Sequence, residues 1–256
     1  MDVQVSAVIE SVFRWFHVVA GILWIGLLYF FNWVNGPFAA TMDGDTKKKV
    51  VPQLMPRTLF WFRWGAAWTW VTGVVLLLLV FYHGGALLEN PSQGYTMPTF
   101  VMLAVVFLGV FVYDILMKTV GKANIKVAVI IGFLLIAGAI YLMGHWAGWS
   151  YRGYVIHTGA MFGTIMAFNV WFRIWPSQRK IITAVRDGQA PDAALVATAG
   201  LRSKHNTYLS VPLVWMMINL HTTWASIHWL ILVGVIAFAW IGVHHLYKKA
   251  AKVKGF

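Results

Sequence analysis

Residues 15–35 read WFHVVAGILWIGLLYFFNWVN, and none of them carries a formal charge. As a helix rising 1.5 Å per residue, a run of this length covers roughly 30 Å, the hydrocarbon thickness of a bilayer. The residues are continuously apolar, without the two-residue alternation of a barrel strand, so the backbone must satisfy its own hydrogen bonds as a helix. Working outward from this stretch, the same texture recurs and yields seven segments, roughly 8–34, 59–82, 97–117, 125–143, 153–175, 207–223 and 227–247. The sixth is short and contains Pro212. The first lacks a basic leading region and a small-residue cleavage site, so it is expected to be a retained helix rather than a signal peptide.

Composition agrees with this reading. The 256 residues are 60% hydrophobic and 11% charged, with 15 Trp and a mean hydropathy of +0.70. Soluble domains run about 45–50% apolar and about 25% charged, so a soluble core cannot hide this much apolar surface. The net charge of +12 is topological rather than a nucleic-acid stripe, because the basic residues sit at the ends of the apolar runs. Lys47, Lys48, Lys49 and Arg57 lie between segments 1 and 2, and Lys118 and Lys122 between 3 and 4. Arg179, Lys180, Arg186, Arg202 and Lys204 lie between 5 and 6, and Lys248, Lys249, Lys252 and Lys254 follow segment 7. The opposite connections hold one basic residue, Arg152. The expected architecture is an all-α integral membrane protein, one domain over residues 1–256. It is a bundle of about seven transmembrane helices, N-terminus outside and C-terminus cytoplasmic. The loop 176–206 is expected to be the longest soluble piece, with a short amphipathic helix on the cytoplasmic surface.

The chain has no cysteine, which excludes disulfides, Fe–S clusters, thiolate zinc and covalent c-type haem. Its nine histidines are the informative polar residues, since intramembrane histidine is costly and functional by default. His17 and Asn35, like His157 and Trp175, stand 18 positions apart, about 27 Å along a helix. The two imidazoles are therefore expected at one depth near the outer face, with His221 at the outer end of segment 6. Histidines at matched depth on different helices suit a bis-histidine haem b, and His17, His157 and His221 are its candidate iron ligands. Gly21, Ala20, Gly153, Gly159, Ala160 and Gly163 would let a flat macrocycle approach, although small residues also serve helix packing. His83, His145 and His228 read as interfacial companions of Trp146, Trp149, Trp224 and Trp229 in an aromatic belt. Copper or another imidazole-bound metal stays open at the outer cluster.

A second polar set is expected towards the cytoplasmic side: Asn32, Asn35, Arg63, Asp114, Asn169, Arg173, Arg202, His205, Asn206, His244 and His245. Asp114 is the one carboxylate well inside an apolar segment, and Arg63 is the most embedded arginine, so an Arg63–Asp114 ion pair is the economical expectation. Arginines such as Arg63 and Arg202 also suit haem propionates or an anionic substrate, and His205 and His245 are candidate ligands of a second, inner haem.

These residues lie in stretches with a resemblance. WFHVVAGILWIGLLYFFNWVN, FWFRWGAAWTWVTG, VYD, IHTGAMFGTIMAFNVWFRIWPSQRK, RSKHNTYLSVPLVWMMINLH and GVHHLY resemble, in order and over nearly the whole chain, the membrane domain of bacterial membrane-bound urate hydroxylases, the urate oxidase N-terminal domain. More loosely, segment 1 is similar to haem-binding membrane proteins of the copper-resistance and protoporphyrinogen-oxidase type. The resemblance implies a multi-helix domain passing electrons to a cytochrome c, with roles for His17, Arg63, Asp114, His157, Asn169, Arg202, His205, Asn206, His221 and His245. No Cys-x-x-Cys-His motif follows the closing KKAAKVKGF, so a separate c-type cytochrome or other redox subunits are the expected partners. The leading function is a b-type haem redox protein with one or two haems, oxidising urate if catalytic. A non-catalytic electron-transfer anchor subunit is the alternative. A transporter or proton channel is a third reading, opposed by the lack of an inverted repeat.

Overall fold

The computed structural model describes residues 3–254. Among them the fold is all-helical, with seven long helices: α1 Gln4–Thr41, α2 Gly44–His83, α3 Met97–Ala123, α4 Ile125–His145, α5 Tyr151–Arg186, α6 Ala193–Ile218 and α7 Trp229–Ala250. Six are long and apolar enough to cross a membrane, and α6 is not among them. Six of the seven expected spans thus meet that length and hydropathy, while the helix of the sixth ends at Ile218 instead of 223 and begins in polar sequence at Ala193. Large apolar side chains such as Trp15, Ile22, Leu134 and Phe238 lie exposed along the spans, the surface lipid would cover. The chain is a multi-pass membrane protein.

Helix ends follow local capping rather than hydropathy. The Asp43 carboxylate accepts from the Thr46 amide at 2.8 Å just ahead of α2. Asn124 caps α4 by accepting from Lys126 and Val127, Asp192 accepts from Ala194 near the start of α6, and Thr96 and Thr99 form a reciprocal box at α3. Each oxygen satisfies a first-turn N–H that has no intrahelical acceptor. Helix α2 therefore starts 15 positions before the expected residue 59, carrying Pro52 and Pro56 within it. The expected loop 176–206 is mostly helix as well, its first part being the end of α5 and its last part the start of α6. Three spans widen to π-helix, at Phe30–Asn35, Leu78–His83 and Val170–Ile174. Such turns are rare and concentrate at functional sites.

The chain forms two compact units, and the boundary falls within helices. Unit 1 takes the residues up to Ser11, Gly73–Ile165 and Pro212–Ala239. Its core is built from Leu87, Met102, Val106, Ile140, Met143, Phe162, Met216 and Ile236. Unit 2 takes Val12–Thr72, Met166–Val211 and the residues from Trp240 on, around Trp24, Leu28, Phe62, Ala66, Val170 and Val243. In unit 2, Gly65 of α2 lies so close to α1 that a Cβ there would sit 3.3 Å from Trp24, the close approach small residues permit between membrane helices.

Candidate functional site

In unit 1 the start of α5 fixes His157. Ser150 caps the helix, its hydroxyl accepting from the Gly153 N–H at 3.0 Å and donating to the Ala86 carbonyl. Its own N–H donates to the Leu87 carbonyl at 2.8 Å. That strap leaves no room for a side chain at residue 153, where a Cβ would collide with the Leu87 carbonyl. One turn on, His157 is fully buried and its Nδ1 lies 2.7 Å from the Gly153 carbonyl oxygen. A carbonyl only accepts, so Nδ1 carries the proton and Nε2 keeps its lone pair. The Tyr82 hydroxyl, in the π-helical turn of α2, donates to that Nε2 at 3.1 Å. The ring centroid of Trp149 lies 4.4 Å away, and Phe81 and Tyr82 complete the cage. Tyr95 holds the cage by donating to the Tyr82 carbonyl.

Two partners here escape sequence reading. Trp149, expected in the interfacial belt, is buried against His157, because Gly148 at φ +66° turns the chain back after α4. Tyr82 carries no sequence signal, since nothing in LLVFYH announces a π-turn. The small residues of α5 face a helix: a Cβ at Gly159 would meet Met216 and Met217, and one at Gly163 would meet Leu213. His221, expected at a helix end, sits exposed in the turn after α6. His83, His145 and His228 are exposed, and His145 stacks on Tyr141 at 4.4 Å. Asp114 is buried and pairs with Lys118 at 2.9 Å, one turn along α3.

In unit 2 the half-buried His17 points Nδ1 at the Thr72 hydroxyl, 3.1 Å away. Thr72 spends its own proton on the Trp68 carbonyl at 2.6 Å, so its oxygen accepts from His17. His17 Nε2 then keeps its lone pair, as in His157. A buried polar network joins four helices of this unit. Asn206, fully buried, accepts from the Asn169 amide at 2.9 Å and donates to the Met166 carbonyl at 3.0 Å. Asn32 accepts from Tyr247 at 2.8 Å and donates to Ser203 at 2.8 Å, while Ser210 donates to Tyr29. Arg202 is 4% exposed on the same helix. Beside it, outside the six spans, burial pushes the His205 imidazole down to about 4, with Arg202 and Lys204 adding to the effect. His244 and His245 are exposed. Arg63 meets aromatic faces, with its guanidinium carbon 3.9 Å from the Trp175 centroid and 5.8 Å from those of Phe60 and Trp171. The two residues expected to pair, Arg63 and Asp114, thus each have a contact of another kind within their own unit.

A haem ligated by imidazole needs the ring neutral, with one N–H anchored on an acceptor and the other nitrogen presented to iron. His157 and His17 each have that donor chemistry. At His157 the presented nitrogen is held by a phenol, which would have to yield. No curated protein and no solved structure matches the chain. A family model described as urate oxidase N-terminal matches residues 4–255, essentially the whole length. The chain belongs to the urate oxidase N-terminal family.

Proposed function

We propose that this chain is a b-type haem redox protein of the bacterial inner membrane that exchanges electrons with a c-type cytochrome. His157 of unit 1 and His17 of unit 2 are each proposed as an iron ligand, and Arg202, in the cytoplasmic-side set, is proposed as the cation for a propionate of a second, inner haem. The observation that carries the reading is the tautomer of His157: a buried imidazole with Nδ1 committed to the Gly153 carbonyl has an Nε2 suited to coordination. A bound haem would supply one-electron transfer there. The residues of this chain hold the ring, exclude water through Trp149, Phe81 and Tyr82, and keep the imidazole neutral. If the chain is catalytic, its substrate is urate, as the family description supports. With the apolar part of α6 counted as a crossing, the proposed topology places the N-terminus outside and the C-terminus in the cytoplasm.

The test is a pyridine haemochrome assay on purified protein with a haem-to-protein ratio. His17→Ala and His157→Ala should each lose b-type absorbance, while the exposed His83→Ala keeps it. Full haem content in both ligand variants would overturn the assignment. Urate-dependent reduction of the oxidised haem separates the enzyme from an electron-transfer anchor.

A further inference from the structure

Arg63 stands inside a membrane-spanning helix, yet among the described residues its side chain makes no hydrogen bond and no ion pair, and its Nε is buried without a partner. A guanidinium keeps its charge and has five N–H donors. Stacking on Trp175, Phe60 and Trp171 contributes about 2 kcal/mol when desolvated, but it satisfies none of those donors. The nearest ring, Trp175, lies 3.9 Å from the guanidinium carbon, and a ring face accepts none of the N–H donors, which are left to an oxygen acceptor. The cage is fixed in place, because the Trp171 indole donates to the Arg63 carbonyl at 3.1 Å. An in-plane pair of oxygens is what a guanidinium edge receives best, as in bidentate carboxylate or phosphate.

The surroundings narrow the acceptor. Arg63 follows Arg57 by six positions, about 9 Å along α2, and Lys47–Lys49 lie further towards the same end of the helix. Phe60, Trp61, Trp64 and Trp68 are exposed around it, the composition of a membrane–water boundary. An open groove of about 560 Å³ on α2, lined by Pro52, Gln53, Pro56, Arg57, Phe60 and Trp61, shares Phe60 with the Arg63 cage. We infer that Arg63 holds the phosphate of an anionic phospholipid. The polar headgroup would extend into the groove beside Gln53 and Arg57, with the acyl chains running along Trp64 and Trp68.

The experiment titrates delipidated full-length protein in mild detergent and follows thermal unfolding. The probes are palmitoyl-oleoyl phosphatidylglycerol, phosphatidylcholine with the same chains, and inorganic phosphate. Phosphatidylglycerol should stabilise the wild type most and inorganic phosphate least. In Arg63→Gln the phosphatidylglycerol response should weaken about ten- to a hundredfold in concentration, the loss of a charge-assisted contact. Arg63→Lys keeps the charge without the planar fork and should fall between. Equal lipid response in wild type and Arg63→Gln overturns the proposal, as does stabilisation by inorganic phosphate matching that by phosphatidylglycerol. So does loss of haem in Arg63→Gln with the lipid response intact, which would make the acceptor a propionate. If Arg63→Gln does not fold, an unchanged lipid response in Arg63→Lys overturns it equally.

Discussion

Removing one hydroxyl separates the two states that the His157 site requires. In Tyr82→Phe the donor 3.1 Å from His157 Nε2 disappears, and the nitrogen is left as an unpaired acceptor in a ring cage with no solvent exposure. Stranding a buried acceptor costs about 1–3 kcal/mol in soluble proteins. Hydrogen bonds between membrane helices average about 0.6 kcal/mol, so about 1 kcal/mol is a fair expectation for the haem-free protein. If Nε2 binds iron, the Tyr82 contact is already broken in the loaded protein, and the substitution costs nothing there. The thermodynamic cycle then requires haem to bind more tightly to Tyr82→Phe by the same amount, about fivefold. Thermal unfolding of haem-free protein and a spectroscopic haem titration measure the two legs independently. Lower haem-free stability together with tighter haem binding is the expected pair of results. A Tyr82→Phe protein with unchanged haem affinity and lowered stability would refute Nε2 as the ligating atom. Weakened haem binding would instead make the phenol part of the loaded site.

Two further substitutions test the framework around the sites. Gly153→Ala places a Cβ against the Leu87 carbonyl and should destabilise by about 1–3 kcal/mol through overpacking, lowering haem content because the strap positions His157; a thermal midpoint equal to wild type would contradict the contact. Asn206→Ala removes the acceptor for the Asn169 amide and the donor to the Met166 carbonyl, and should cost about 1–3 kcal/mol. Combining it with Asn169→Leu should cost less than the sum of the two single changes, and strictly additive unfolding free energies would show that the pair does not interact.

The membrane class was legible because lipid imposes one overriding demand: uncharged runs of about 20 residues can only be helices there. Stretch 15–35 carries that message without ambiguity. Helix ends were not legible from hydropathy, because they are set by single oxygens, Asp43, Asn124, Ser150 and Asp192, placed against first-turn amides. Lys47–Lys49 and two prolines look like a connection by composition, and they stand inside α2. Pro52 and Pro56 lie past the first turn of a helix that starts at Gly44, so each removes an intrahelical hydrogen bond, and the apolar segment that follows carries the helix through them.

The sites divide along a similar line. The cost of burying an imidazole pointed to His157 from sequence, whereas its neighbours depend on a π-turn at Leu78–His83 and a left-handed glycine at 148, neither of which has a sequence signature. Arg63 and Asp114 were matched by the same cost argument, and the contacts each makes within its own unit have a reason that composition contains. Twenty Lys and Arg face eight Asp and Glu, so with one carboxylate per cation twelve cations, the difference 20 − 8, are left to water or to other partners. With 15 Trp, aromatic faces are the abundant alternative inside the protein, and Arg63 takes Trp175, while Asp114 takes the flexible Lys118 one helical turn away. Aromatic rings hold a cation without accepting its hydrogen bonds, so a basic, tryptophan-rich membrane chain leaves donors for whatever oxyanions the bilayer or a cofactor presents.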